Sequence, residues 1–165
     1  MQLLIIRHGI AEDKDVFARS GRGDNERPLT AEGQNQLQHV SKGLRRIAEH
    51  IDVFAASPLV RASQTAAIIA REYDGMNVET VPALEPQRAP EEFAGWLETR
   101  RAAEIVAAVG HEPHLGMLVT WLMSGVEDSH VELEKAGGCL LTIEGTPGPR
   151  CATLCWLLTP EMLER

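Results

Sequence analysis

The stretch Leu3-Leu4-Ile5-Ile6-Arg7-His8-Gly9 decides the fold. A short apolar run that stops at a charge and a glycine reads as a strand buried on both faces, the kind found inside parallel sheets. The pattern returns at Ile105-Val106-Ala107-Ala108-Val109, which ends in Gly110-His111. A third strand, residues 52–57, runs into Ser57-Pro58-Leu59-Val60-Arg61.

Working outward from these strands, the chain alternates strand with helix. Residues 31–49 form a predicted helix with Thr30 as N-cap and Leu37, Val40, Leu44 and Ile47 on one apolar face. Ser57-Pro58 reads as an N-cap followed by a proline at the first helical position, opening a helix to residue 72 with Ala66, Ile69 and Tyr73 turned inward. Residues 78–81 form a short strand, and residues 91–101 a helix carrying Phe93, Trp96 and Leu97. A further helix starts after Gly110-His111-Glu112-Pro113 and runs to residue 123. Residues 139–143 and 152–158 are two last strands, joined by the Gly/Pro turn at 145–149. Residues 12–28 and 124–138 are polar and read as loops, the first long, exposed and functional in character. The alternation implies one α/β domain over residues 1–165, three layers deep, with a mostly parallel central sheet and helices on both faces.

Composition narrows the function classes. At 165 residues the chain has the length of one domain and can bury a core without disulfides or metals. The formal charge is -8, from 24 acidic against 16 basic side chains. Such a surface repels nucleic acid and anionic membranes and leaves protein partners or small ligands that meet a local basic pocket. No apolar run reaches the roughly 18 residues of a membrane span, so a soluble, cytoplasmic protein is expected. Cys139, Cys151 and Cys155 are an odd set without a disulfide or zinc pattern and are expected to be buried, inert thiols.

In sheets of this kind ligands bind beyond the carboxyl ends of the strands. That rule gathers Arg7, His8, Arg61 and His111 on one edge. Arginine offers a fixed fork of donors that matches phosphate oxygens. Arg61 falls in the first turn of a helix, and His111 just before another, where free N–H groups also favour anions. A neutral His8 can attack phosphorus through one ring nitrogen while the other donates to a backbone carbonyl that fixes the tautomer. Arg7, Arg61 and His111 would then stabilise the phosphoryl oxygens in flight. His39, His50 and His130 lie outside this group, and His114 sits near it without an assigned role. A non-catalytic phosphate-binding or scaffold protein is the alternative from another class, to be recognised by loss of the nucleophile.

These motifs resemble a known family. Arg7-His8-Gly9, then Ser57-Pro58-Leu59-Val60-Arg61-Ala62-Ser63-Gln64-Thr65-Ala66, then Gly110-His111 are similar to the histidine phosphatase superfamily. Arg27-Pro28-Leu29-Thr30-Ala31-Glu32-Gly33, Val109-Gly110-His111-Glu112-Pro113-His114-Leu115 and Leu133-Glu134-Lys135-Ala136-Gly137 further resemble its SixA-type phosphohistidine phosphatases. The resemblance implies a phosphoglycerate-mutase-like fold, His8 as the phosphorylated nucleophile, Arg7, Arg61 and His111 as catalytic and substrate-binding partners, and no metal or other cofactor. It implies as substrate a phosphohistidine on a signalling or phosphotransfer protein, such as a histidine phosphotransfer or kinase-type domain. The alternative is a small phosphate ester. Larger members carry an acid for the leaving group in a Leu-x-Glu stretch. Here Pro82-Ala83-Leu84-Glu85-Pro86 is one residue out of register, and Glu85 is the candidate acid or base. A labile P–N bond needs such a donor less than a phosphate ester does. A phosphoglycerate mutase is less expected, because the chain is short for enclosing its substrate.

Overall fold

Leu3, Leu4, Ile5 and Ile6 are wholly buried, because the strand that carries them lies inside the sheet with another strand on each side. The computed structural model describes residues 1–165. In chain order its elements are β1 (Gln2–Arg7), α1 (Lys14–Ala18), α2 (Ala31–Ile47), β2 (Val53–Ala56), α3 (Val60–Glu72), β3 (Val78–Thr80), α4 (Pro90–Glu98), β4 (Ile105–Gly110), α5 (His114–Ser124), β5 (Gly138–Ile143), β6 (Ala152–Leu158) and α6 (Pro160–Glu164). Short 3-10 turns stand at Asp24–Glu26 and Pro82–Leu84.

The six strands form one sheet in the order β3-β2-β4-β1-β5-β6. The first four are parallel, whereas β5 runs antiparallel to β1 and β6 antiparallel to β5. The result is a single α/β domain with a mostly parallel, mixed sheet in a phosphoglycerate-mutase-like arrangement. The pleat sends alternate residues of each strand to opposite faces. Leu4 and Ile6 of β1 pack with Leu37, Val40 and Leu44 of α2 and Ala62, Ala66 and Ile69 of α3. Leu3 and Ile5 pack on the other face with Phe93 and Leu97 of α4 and Leu115, Leu118 and Leu122 of α5. Each fully buried side chain of this size contributes about 1.5–3 kcal/mol.

Several local expectations are corrected. Residues 12–28 are not a plain loop: Asp13 caps α1 by accepting from the N–H groups of Asp15 (3.0 Å) and Val16 (2.9 Å), and Phe17 is buried. The ends of this segment are joined by an isolated antiparallel bridge between Ala11 and Leu29. Thr30 caps α2 as expected, accepting from Gly33 N–H at 3.0 Å. A Cβ at Gly33 would strike the carbonyl of Ile10, so glycine there lets the helix pack against the chain leaving His8. The helix ends at Ile47, and Ile47 is 46% exposed because α6 packs at Gly43 and leaves the last turn at the rim. Helix α3 begins at Val60, with Leu59 rather than Ser57 as its N-cap residue. Of the cysteines only Cys139 is buried, its thiol pushed up to about 12 by burial, while Cys151 is half-buried and Cys155 exposed. No helix is long and apolar enough to cross a membrane.

Candidate active site

The register of β1 against β4 pairs Ile6 with Val109 and Arg7 with Gly110, so His8 and His111 emerge side by side from adjacent strand ends. Backbone bonds fix both: His8 N–H donates to Gly110 O (3.1 Å), and Leu115 N–H donates to His111 O (2.9 Å). The two rings stand 5.0 Å apart between centroids, tilted by 55°. Helix α3 starts just past β2, and its second residue, Arg61, reaches back to His8. His8, Arg61 and His111 are 7%, 4% and 2% exposed.

His8 Nδ1 lies 2.8 Å from the carbonyl oxygen of Gly9, which accepts and so places the proton on Nδ1. The lone pair of Nε2 is left to face the site, where Arg61 Nε donates to it at 3.3 Å. Burial lowers the His8 pKa to about 4; the Gly9 carbonyl opposes this, and the charges of Arg61, Arg7 and Arg27 add to it. The ring is therefore neutral at pH 7, the form in which imidazole is a nucleophile. His111 is likewise pushed well down by burial, then by His8 and Arg61. Its Nε2 is 2.8 Å from Ser57 Oγ, which also accepts from Leu59 N–H at 3.4 Å, so this hydroxyl ties the imidazole to the chain entering α3.

The remaining guanidinium contacts tie Arg61 and Arg7 to two loop segments. Arg61 Nη1 donates to the carbonyl of Asp24 (2.9 Å), and Nη2 meets the Asp24 carboxylate at 3.2 Å. Arg27 Nε holds the same carboxylate at 2.8 Å. Burial tends to raise the Asp24 pKa, but Arg27 and Arg61 outweigh it and keep the carboxylate ionised. All three nitrogens of Arg61 are thus engaged, two of them by an anionic residue of the 12–28 segment. Arg7 donates Nη1 to Leu133 O at 2.6 Å, and its Nε is buried without a partner, as is His111 Nδ1. Two unpaired buried polar atoms beside cationic side chains suit this pocket to an anion.

Glu85 makes no hydrogen bond to His8, Arg61 or His111. It follows the 3-10 turn after β3 and pairs with Arg88 at 3.7 Å. Together with Asp24, Leu59, Arg88 and Glu92 it lines an open depression of about 580 Å³ beside Arg61. His114 is 1% exposed with neither ring nitrogen hydrogen-bonded, so it belongs to the buried base of the site rather than to its mouth. Sequence reading missed Thr65, whose Oγ1 accepts from Gly9 N–H (3.0 Å) and donates to Arg61 O (2.7 Å). The helical spacing of four from Arg61 is the signal that points to it. Asp24 and Ser57 carried no comparable signal, because their partners come from elsewhere in the chain.

A neutral imidazole flanked by buried Arg61 and half-buried Arg7 at the carboxyl edge of the parallel strands defines a histidine-centred anion site. The chain belongs to the histidine phosphatase superfamily, branch 1, whose family model matches residues 3–91, and it is a hydrolase of that superfamily. An uncharacterised protein of Picosynechococcus sp. is 35% identical over 139 residues, covering 83% of this chain and 82% of that protein. Among solved structures, the protein histidine phosphatase SixA complexed with tungstate superposes with a TM-score of 0.80 at 24% identity, over 97% of each chain. The alpha-ribazole phosphatase from Shigella flexneri gives a TM-score of 0.77 at 20% identity, also over 97% of each chain.

Proposed function

We propose that this protein is a phosphohistidine phosphatase acting on a signalling or phosphotransfer protein in the cytoplasm, through a covalent phosphohistidine at His8. The observation that carries this reading is the fixed tautomer of His8, with Nδ1 on the Gly9 carbonyl and the Nε2 lone pair facing Arg61. In the proposed reaction Asp24 leaves Arg61, and a phosphoryl group takes its place. Nε2 attacks phosphorus, the P–N bond to the substrate imidazole breaks with its electron pair going to the departing nitrogen, and that imidazole leaves neutral after taking a proton from solvent. Water then attacks phosphorus, the bond to His8 breaks, and orthophosphate departs. Arg61, Arg7 and His111 stabilise the phosphoryl oxygens in both steps.

Two features favour phosphohistidine over an ester. Glu85, the one candidate acid, is paired with Arg88 and has no hydrogen bond to His8 or His111. The depression beside Arg61 is open, which suits a side chain presented on another protein. The likeness in fold to both SixA and the alpha-ribazole phosphatase keeps the second reading, a small phosphate ester with Glu85 as acid, in play. Purified protein is to be offered phosphohistidine-bearing phosphotransfer domains, sugar phosphates and phosphoserine at equal concentration. Preference for the phosphoprotein is expected, with no loss of rate in chelator. Faster turnover of the esters, abolished by Glu85→Gln, would replace the first reading by the second.

A further inference from the structure

The chain between α5 and β5, residues 125–137, has neither helix nor strand, yet it holds one of the site's arginines. Arg7 is half-buried and donates Nη1 to the carbonyl of Leu133. A guanidinium on a long, rotamer-rich stem is oriented only as well as the group it leans on. That carbonyl belongs to a loop, so something else must hold the loop.

The holding group is Glu112, the residue directly after His111. Its Oε1 accepts from Leu133 N–H at 2.9 Å, and its Oε2 accepts from Gly116 N–H at 3.2 Å in the first turn of α5. Leu133 is 1% exposed, so its peptide groups have no water to fall back on. The loop also lies close on the helix. A Cβ at Gly116 would strike the carbonyl of Val131 and the hydroxyl of Ser129, so glycine is required for that approach. Charge-assisted bonds from a carboxylate to backbone N–H groups are among the stronger hydrogen bonds. Burial pushes the Glu112 carboxyl up, while the two N–H groups and the charge of Arg7 oppose that rise.

We infer that Glu112 is a positioning residue for phosphoryl binding: its carboxylate clamps the Leu133 peptide to the start of α5 and so fixes Arg7 relative to His111. One side chain then joins the two flanks of the pocket, the Arg7 side and the His111 side. The inference rests on reading the pocket as a phosphoryl site. It also requires Glu112 to act through Arg7 and not merely through overall stability.

The test is a double-mutant cycle on the full chain, read as the Kd for inorganic phosphate. Glu112→Ala is expected to weaken binding about tenfold with Arg7 present and less than about twofold in the Arg7→Ala background, because contacting groups are not additive. Glu112→Gln, which keeps the volume and one acceptor oxygen, is expected to fall between wild type and Glu112→Ala, and it serves the same cycle if the alanine variant folds poorly. Equal losses in both backgrounds, or a Kd insensitive to Glu112, would overturn the inference and leave the proposed function standing. No phosphate binding by the wild-type protein would overturn both.

Discussion

The strand ends and the 12–28 segment meet at Arg61, and they are built differently. On the strand side, His8 and His111 are set by parallel register and by backbone bonds, and they are backed by Ser57 and Thr65, both fully buried. On the other side Asp24 is held by ion pairs to Arg27 and Arg61, with its own side chain 40% exposed. The first region cannot rearrange without breaking the sheet. The second can release Arg61 by giving up contacts that are individually weak in water. Under the proposed function the difference separates two tasks: the reacting geometry is preorganised, and access to it is left to contacts that a phosphoryl group can replace.

The contrast gives a ranked set of expectations. The largest is for Arg61→Ala, which strips the donor shared by both regions and should lower turnover by about two orders of magnitude, as loss of one transition-state donor does. A near-normal steady-state rate would remove Arg61 from the chemistry. Next is pH. With its pKa lowered to about 4, His8 stays neutral well into acid, so the acid limb of kcat/KM should lie near 4. An ordinary imidazole of pKa about 6.5 would already have lost roughly nine-tenths of its neutral form at pH 5.5, which a rate profile distinguishes easily. The sign for stability follows. Between about 6.5 and about 4 the unfolded chain takes up the proton that folded His8 refuses, so His8 makes stability fall as pH drops through that window and adds nothing above it.

Thr65→Val probes the rigid side alone. It leaves the buried Gly9 N–H without its acceptor and should cost about 1–3 kcal/mol in denaturant unfolding. The smallest effect is on the replaceable side. Asp24→Asn should tighten phosphate binding by up to about fivefold, because it removes the charge that competes for the guanidinium and a pair with one half-exposed partner is worth up to roughly 1 kcal/mol, and leave the melting temperature nearly unchanged. Tighter binding from Thr65→Val, or weaker binding from Asp24→Asn, would reverse the assignment of the two roles.

The same division marks what the sequence made legible. The strand ends could be read because a run such as Leu3 to Ile6 has few other uses, and strand order in a parallel sheet then brings distant loop residues together. Arg7, His8, Arg61 and His111 were reached that way. The two antiparallel strands β5 and β6 were found as strands, but their direction was not, since direction depends on pairing rather than on local pattern. Helices α1 and α6 were missed because each has five residues, too few for a helical period to show. Ser-Pro favours a cap locally, yet α3 starts at Val60, and the bond from Ser57 to His111 depends on a partner that only the fold supplies. Asp24 and Glu112 were out of reach for a similar reason: each acts on a residue brought near only by the fold.

The most direct trial is to phosphorylate the protein with a phosphodonor, quench in alkali, where a P–N bond survives, and locate the phosphoryl group by phosphorus NMR and peptide mapping. The expected product carries it on Nε2 of His8, with nothing on the His8→Ala protein. A phosphoryl group on another residue, or labelling that survives His8→Ala, would contradict the claim that the carbonyl-anchored imidazole at the end of β1 is the nucleophile.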